Sequence, residues 1–277
     1  MYKSSILFLT LLVGSFAFPA EDFSIFFDHT DPSASRIVGG SVAQDPVPHM
    51  VAMTNGLLIR SFLCGGSVIT TRHVLTAAHC IEAVFSWGSL SSNLRVTVGT
   101  NRWNTGGTHY NIARNITHQN YVSSIIKNDI GILVTASEIA LTNAVQPVRL
   151  NYDWIGEGIA TRVNGWGRVV TGGAISAVLL ELHATSVDGQ RCIEEVAQRA
   201  TELNIRGVPP VQPHIELCTF RATNMGACNG DSGSALLRVD RGEQIGVVSW
   251  GLPCARGAPD MFVRVSAFRD WIQQSIA

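Results

Sequence analysis

The stretch Gly230-Asp231-Ser232-Gly233 decides how this chain is read, together with Thr76-Ala77-Ala78-His79-Cys80 and Asn128-Asp129-Ile130-Gly131-Ile132-Leu133. The three segments supply a serine, a histidine and an aspartate. A serine hydroxyl is a poor nucleophile at neutral pH, so it needs an imidazole to take its proton and a buried carboxylate to orient that ring. Asp129 heads an apolar, strand-like run in which a charge is costly unless hydrogen-bonded, and His79 is the expected partner. The pattern points to serine-hydrolase chemistry with His79, Asp129 and Ser232 as the catalytic residues. The order His, Asp, Ser differs from that of α/β-hydrolases, and Ser234 breaks the Gly-x-Ser-x-Gly elbow such enzymes need.

Working outward, short β-branched and apolar runs (67–71, 94–98, 130–134, 161–164, 234–239 and 244–250) are punctuated by Gly, Asn, Asp and Pro. Strands of that length with frequent turns predict an all-β sandwich or barrel. Near the C-terminus Ser266 opens a segment in which Phe268, Trp271, Ile272 and Ser275 share one helical face, so a closing helix over 266–277 is expected. The stretch 190–207, with Cys192, Ile193, Val196 and Ala200, can hold a further helix, whereas 82–93 shows no clear pattern.

The 277 residues, 46% of them hydrophobic, suffice for a sizeable core in one large or two smaller domains. Twenty Lys and Arg against 21 Asp and Glu leave no basic surplus for nucleic acid or an anionic membrane. Residues 1–17 carry Lys3, an apolar run from Ile6 to Val13, then Ser15 and Ala17 at signal-peptidase spacing, and read as a secretory signal peptide. A membrane anchor needs about 20 apolar residues, and Gly14, Ser15 and Pro19 interrupt this run. Six cysteines, an even number, suit an oxidising, extracellular destination and allow 15 pairings. A zinc site from Cys64, His79 and Cys80 would lack a regular fourth ligand.

From Arg36 onward the chain resembles the chymotrypsin family of secreted serine proteases. Besides the three segments above, the resemblance is carried by Ile37-Val38-Gly39-Gly40, Gly165-Trp166-Gly167, Ser249-Trp250-Gly251 and the terminal Trp271-Ile272. It implies two six-stranded antiparallel β-barrels, about 37–147 and 148–265, within a protease domain spanning 37–277, with the active site between them. It implies the disulfides Cys64–Cys80, Cys192–Cys218 and Cys228–Cys254, an oxyanion hole from the amides of Gly230 and Ser232, and no cofactor or metal. Residues 18–36 become an activation propeptide, cut after Arg36 by a trypsin-like protease. The freed ammonium of Ile37 would then pair with Asp231. The expected partners are protein or peptide substrates and protein inhibitors, with the enzyme acting as a monomer.

The same resemblance places a specificity pocket at Gly226, Ala227, Ser249, Trp250, Gly251 and Asp260. Glycine rather than aspartate at its base, Gly226, argues against strict Arg/Lys cleavage, and Gly251 leaves the mouth open to large side chains. Glycine at the base with Asp260 on the facing wall is similar to brachyurin-type collagenolytic enzymes, which accept basic and large apolar residues and suit digestion. Asn115-Ile116-Thr117 is a glycosylation sequon. The alternative from another class is a non-catalytic homologue that binds rather than cuts.

Overall fold

The computed structural model describes residues 40–168, 173–252 and 254–277. Six strands, β2 (Met50–Asn55), β3 (Ser61–Val68), β4 (His73–Thr76), β7 (Arg95–Val98), β8 (Thr108–Thr117) and β9 (Gly131–Thr135), close into an antiparallel barrel in the order β2-β3-β4-β9-β8-β7. A second barrel is formed by β10 (Ala160–Gly165), β11 (Leu180–Val187), β12 (Glu216–Phe220), β13 (Ala235–Arg238), β14 (Glu243–Gly251) and β15 (Asp260–Arg264). Its order is β11-β10-β13-β14-β15-β12, closed by pairing of Thr185–Val187 with Cys218–Phe220. The short strand β1 (Ser41–Val42) adds to β11, and β5 (Phe85–Ser86) pairs with β6 (Ser89–Leu90) in a separate hairpin.

Closure removes the sheet edges, so each barrel fills its interior with alternate side chains. In β11 the alternation is plain: Leu180, Leu182 and Ala184 are buried, while His183 and Thr185 are exposed. The residues of β9 are buried throughout, as suits a strand with protein on both sides.

The largest apolar cluster joins Val51, Val74, Leu75, Ile132 and Leu133 of the first barrel to Leu237, Val247 and Val263 of the second and to Phe268 and Ile272 near the C-terminus. Each such side chain contributes about 1.5–3 kcal/mol of burial. The contact between the barrels is therefore a continuous core, which fixes how the cleft between them is shaped.

Three helices complete the fold: α1 (Ala78–Glu82), α2 (Gly189–Glu202) and α3 (Arg269–Ile276). The Asp188 carboxylate caps α2 by accepting from the amides of Gln190 (2.9 Å) and Arg191 (3.1 Å), the arrangement that satisfies orphan N–H groups at a helix start. Ser266 does not open the last helix. Residues Val265–Phe268 form a tight 3-10 turn first, and α3 begins at Arg269 without a side-chain cap. Disulfides join Cys64 to Cys80, Cys192 to Cys218 and Cys228 to Cys254. Each closes a loop of 16 or 26 residues, a constraint worth about 3 kcal/mol on a loop-entropy account.

Candidate active site

His79 lies on α1, which follows β4 directly and is tied to β3 by Cys64–Cys80. Asp129 stands just ahead of β9, whose pairing with β4 runs from Thr76 opposite Gly131. Two adjacent strands of one barrel thus bring the imidazole and carboxylate together, although 50 residues separate them. The Asp129 carboxylate is 1% exposed and fully hydrogen-bonded. Its Oδ1 accepts from the His79 backbone N–H (2.9 Å), and its Oδ2 contacts His79 Nδ1 (2.8 Å). Ser249 Oγ on β14 also donates to Oδ2, at 2.6 Å. Burial alone would raise the Asp129 pKa. Charge on His79, its ring hydrogen bond, the Ser249 hydroxyl and the His79 amide outweigh that effect and hold it below the usual carboxylate value.

Ser232 comes from the second barrel, in the turn that leads into β13. The main chain on either side of it docks on the first barrel: Gly65 N–H of β3 donates to the Ser232 carbonyl at 2.8 Å. Gly233, at φ +81°, presses so closely on Thr76 and on the Gly65 carbonyl that a Cβ there would collide with both. No other residue type fits that approach. The serine turn is thus held directly against the β4–α1 junction that presents His79.

The amides beside Ser232 are oriented by their surroundings. The carbonyl of Asn229 accepts from Arg168 N–H at 2.6 Å. Because a trans peptide is planar with its C=O and N–H opposed, the Gly230 N–H is turned to the other side. Among the described residues no acceptor takes the N–H of Gly230 or of Ser232. Between them, the Asp231 carboxylate is wholly buried and lies against Gly165 and Gly167. It accepts from Gly167 N–H (2.9 Å) and Cys228 N–H (3.0 Å). Desolvation raises its pKa to about 6, with the two amides opposing the shift.

Next to Ser232 opens a pocket lined by Ala227, Ser249, Trp250, Gly251 and Asp260, and also by Leu252. The Asp260 carboxyl lies over buried Gly226, where a Cβ would stand 2.9 Å from Oδ2. Ala227 N–H donates to the same Oδ2 at 2.8 Å. One side of Asp260 meets the pocket and protein encloses the rest. Desolvation raises its pKa to about 7, the Ala227 amide opposes that, and nearby Asp231 adds to it.

Other candidate residues lie elsewhere. Asn115 sits half-buried on β8 and its side-chain amide donates to Thr117 Oγ1. Arg36 and Ile37 fall outside the described residues, as do the expected signal peptide and propeptide. The sulfurs of Cys64 and Cys80 lie near His79, but their bond to each other leaves no thiolate to bind a metal. Two features escape sequence reading. Ser249, expected only in the pocket, also bonds Asp129 across 120 residues. Lys127 and Glu216 form a buried ion pair beneath Trp250, and no motif or spacing marks either.

Two closed antiparallel barrels with a His-Asp pair from one facing a serine turn from the other define the trypsin-like class. The chain belongs to the trypsin family, whose model matches residues 37–272. A chymotrypsin-2 from Vespa crabro is 36% identical over 241 residues, covering 86% of this chain and 99% of the relative. Alkaline trypsin B from Manduca sexta is 33% identical over 282 residues, covering 97% and 99%. Trypsin epsilon from Drosophila erecta is 32% identical over 87% of each chain. These relatives support a serine endopeptidase acting on protein substrates. Their names divide between chymotrypsin and trypsin, so they do not fix the specificity of this chain. No helix among the described residues is long and apolar enough to cross a membrane.

Proposed function

We propose that this protein is a secreted serine endopeptidase, made as a zymogen, that cleaves through an acyl-enzyme on Ser232. The observation that carries the reading is the double contact of Asp129 with the His79 backbone and ring, made beside the turn that holds Ser232. With Nδ1 committed to Asp129, Nε2 is the ring nitrogen that takes the Ser232 proton as its oxygen attacks the substrate carbonyl. The imidazolium then returns that proton to the leaving amine, and water repeats the sequence to release the acid. Asp129 orients the ring and stabilises its cation. The N–H groups of Gly230 and Ser232, which no described acceptor takes, receive the developing oxyanion, each worth about 3 kcal/mol of barrier.

Cleavage after Arg36 would free the Ile37 ammonium as the partner of Asp231, a buried carboxylate whose donors among the described residues are the backbone amides of Gly167 and Cys228. For the pocket, glycine at its base and Asp260 on its wall favour a broad, brachyurin-like choice of large apolar and basic side chains. Secretion follows from the N-terminal reading and the three disulfides, Asn115 is the candidate for glycosylation, and the enzyme works as a monomer without cofactor.

The test is labelling of the Arg36-cleaved protein by a fluorophosphonate, alongside hydrolysis of Leu, Phe, Arg and Lys peptide substrates. Labelling at Ser232 and its loss with hydrolysis in Ser232→Ala are expected. Undiminished hydrolysis by Ser232→Ala would overturn the assignment. Equal activity of uncleaved Arg36→Gln and the cleaved enzyme would overturn the activation step alone.

A further inference from the structure

A buried ionic cluster sits where the segment delivering Asp129 meets the second barrel. Lys127 Nζ donates to Glu216 Oε1 at 2.7 Å, and the side chains are 3% and 4% exposed. The same Oε1 accepts the Trp250 indole N–H at 2.8 Å, while Oε2 accepts the Gln212 amide at 2.6 Å. Lys127 Nζ also donates to the Ile126 carbonyl at 3.3 Å and lies 4.8 Å from the Trp250 ring centre. Three parts of the molecule meet at one carboxylate: the 126–129 segment of the first barrel, strand β12 and strand β14. Trp250 lines the pocket and follows Ser249, the residue bonded to Asp129.

A buried ion pair is a poor way to gain stability, because desolvating two charges offsets most of their attraction. An apolar pair could fill the same volume, but it would take this acceptor away from the Trp250 indole and the Gln212 amide, so what the carboxylate adds is directional geometry. Burial lowers the Lys127 pKa, and Glu216 opposes that by favouring the cation. The backbone around Lys127 is also forced: Ile126 has φ +49° and Asn128 φ +54°. A β-branched residue in the left-handed region persists only where its surroundings over-determine it. Ile126 is anchored among Val187, Val196, Trp250 and Met261 of the second barrel and α2. Lys127 supplies the polar anchor one residue later, and Asp129 follows within two.

We infer that Lys127, Glu216 and the Trp250 indole form a positioning clamp, which fixes Asp129 and the pocket wall relative to each other across the two barrels. None of the three need touch the reacting atoms for this. The clamp acts through Asp129 on the orientation of His79, and through Trp250 on the pocket. The inference rests on the reading of His79, Asp129 and Ser232 as the catalytic group.

The test uses the Arg36-cleaved enzyme, with each preparation normalised by active-site titration. Lys127→Met/Glu216→Leu replaces the pair by apolar side chains and leaves no lone buried charge. Glu216→Gln keeps the shape and removes the charge. Melting temperature, kcat on a small ester and KM on a tetrapeptide are measured for both. The clamp predicts that the double variant stays folded at the assay temperature, yet loses about tenfold in kcat and gains several-fold in KM per titrated site. Glu216→Gln shows the same losses if it folds, and the double variant alone suffices if it does not. Wild-type kcat and KM in the double variant would overturn the clamp, as would losses confined to a lowered melting temperature. Ser232→Ala in parallel, normalised by protein concentration because it lacks the titrated hydroxyl, separates the two readings. If it is inactive while the clamp variants are normal, only the clamp fails; if it is active, the catalytic assignment fails first.

Discussion

Two halves of the site bury the same chemical group to opposite effect. On the first-barrel side, Asp129 is held below the usual carboxylate value. On the second-barrel side, Asp231 rises to about 6 and Asp260 to about 7. Burial pushes all three upward, so burial does not separate them. The difference lies in the donors: Asp129 faces an imidazole and a hydroxyl, whereas the other two receive, among the described residues, only backbone N–H groups, and Asp260 also feels the charge of Asp231. One half is arranged to keep an anion ready, and the other holds carboxyls poised to change state with pH or with an arriving cation.

The largest test of this contrast is Asp129→Asn. It removes the anion, leaves the shape, and should lower kcat by about ten-thousand-fold if Asp129 serves as proposed, the size of this change in the prototype serine protease. A stopped assay on the cleaved enzyme reads it, and a loss under tenfold would mean the carboxylate does not serve catalysis. Next, Ser249→Ala removes one donor to Asp129 while leaving His79 in place. A hydrogen bond to a charged group is worth about 1.5–3 kcal/mol, so kcat is expected to fall about 10- to 100-fold with little change in KM for basic substrates.

On the pocket side, Asp260 should be neutral below about pH 7 and anionic above it. The ratio of Arg to Leu cleavage is therefore expected to climb about tenfold between pH 6 and 8, and Asp260→Ala should flatten it. A ratio independent of pH in wild type would remove Asp260 from the specificity determinants.

The smallest effect is on stability. Asp129, depressed, adds stability that is present above its unfolded pKa and lost as pH falls through its folded one. Asp260, and Asp231 so long as no ammonium group is paired with it, act in the reverse sense. Their raised values favour the fold at low pH and cost stability as pH rises from about 4 towards 6 and 7. Asp260→Asn should hence raise the melting temperature by a few degrees at pH 8 and leave it unchanged near pH 4, measured by calorimetry in a Ser232→Ala background.

Much of the fold was legible in the sequence because its strands carry their own pattern. The run 130–134 reads as strand-like, and all of it but Ile130 lies in β9, while the two-barrel, all-β class with a C-terminal helix follows from resemblance at matching positions. Glycines misled the reading of β3, placed at 67–71. The strand instead spans Ser61–Val68, because Gly65 and Gly66 are held by pairing with Ala52 and Val51 and by the Ser232 carbonyl. The 82–93 stretch gave no pattern since its hairpin turns at Trp87 and Gly88, with φ +53° and +77°, and tryptophan is not the residue such a turn normally selects.

Within the site, the sequence could announce residue types but not their mutual contacts. Ser249 and Lys127 act on partners 120 and 89 residues away. Nothing local to either residue records that distance.

The apolar cluster shared by both barrels and the C-terminal helix has a thermal consequence. Neither half can shed its ordered interior without exposing the other's, so melting should be all-or-none. Heating is expected to abolish hydrolysis and near-ultraviolet dichroism along one sigmoid, with no surviving fragment able to protect the lone imidazole or the lone hydroxyl.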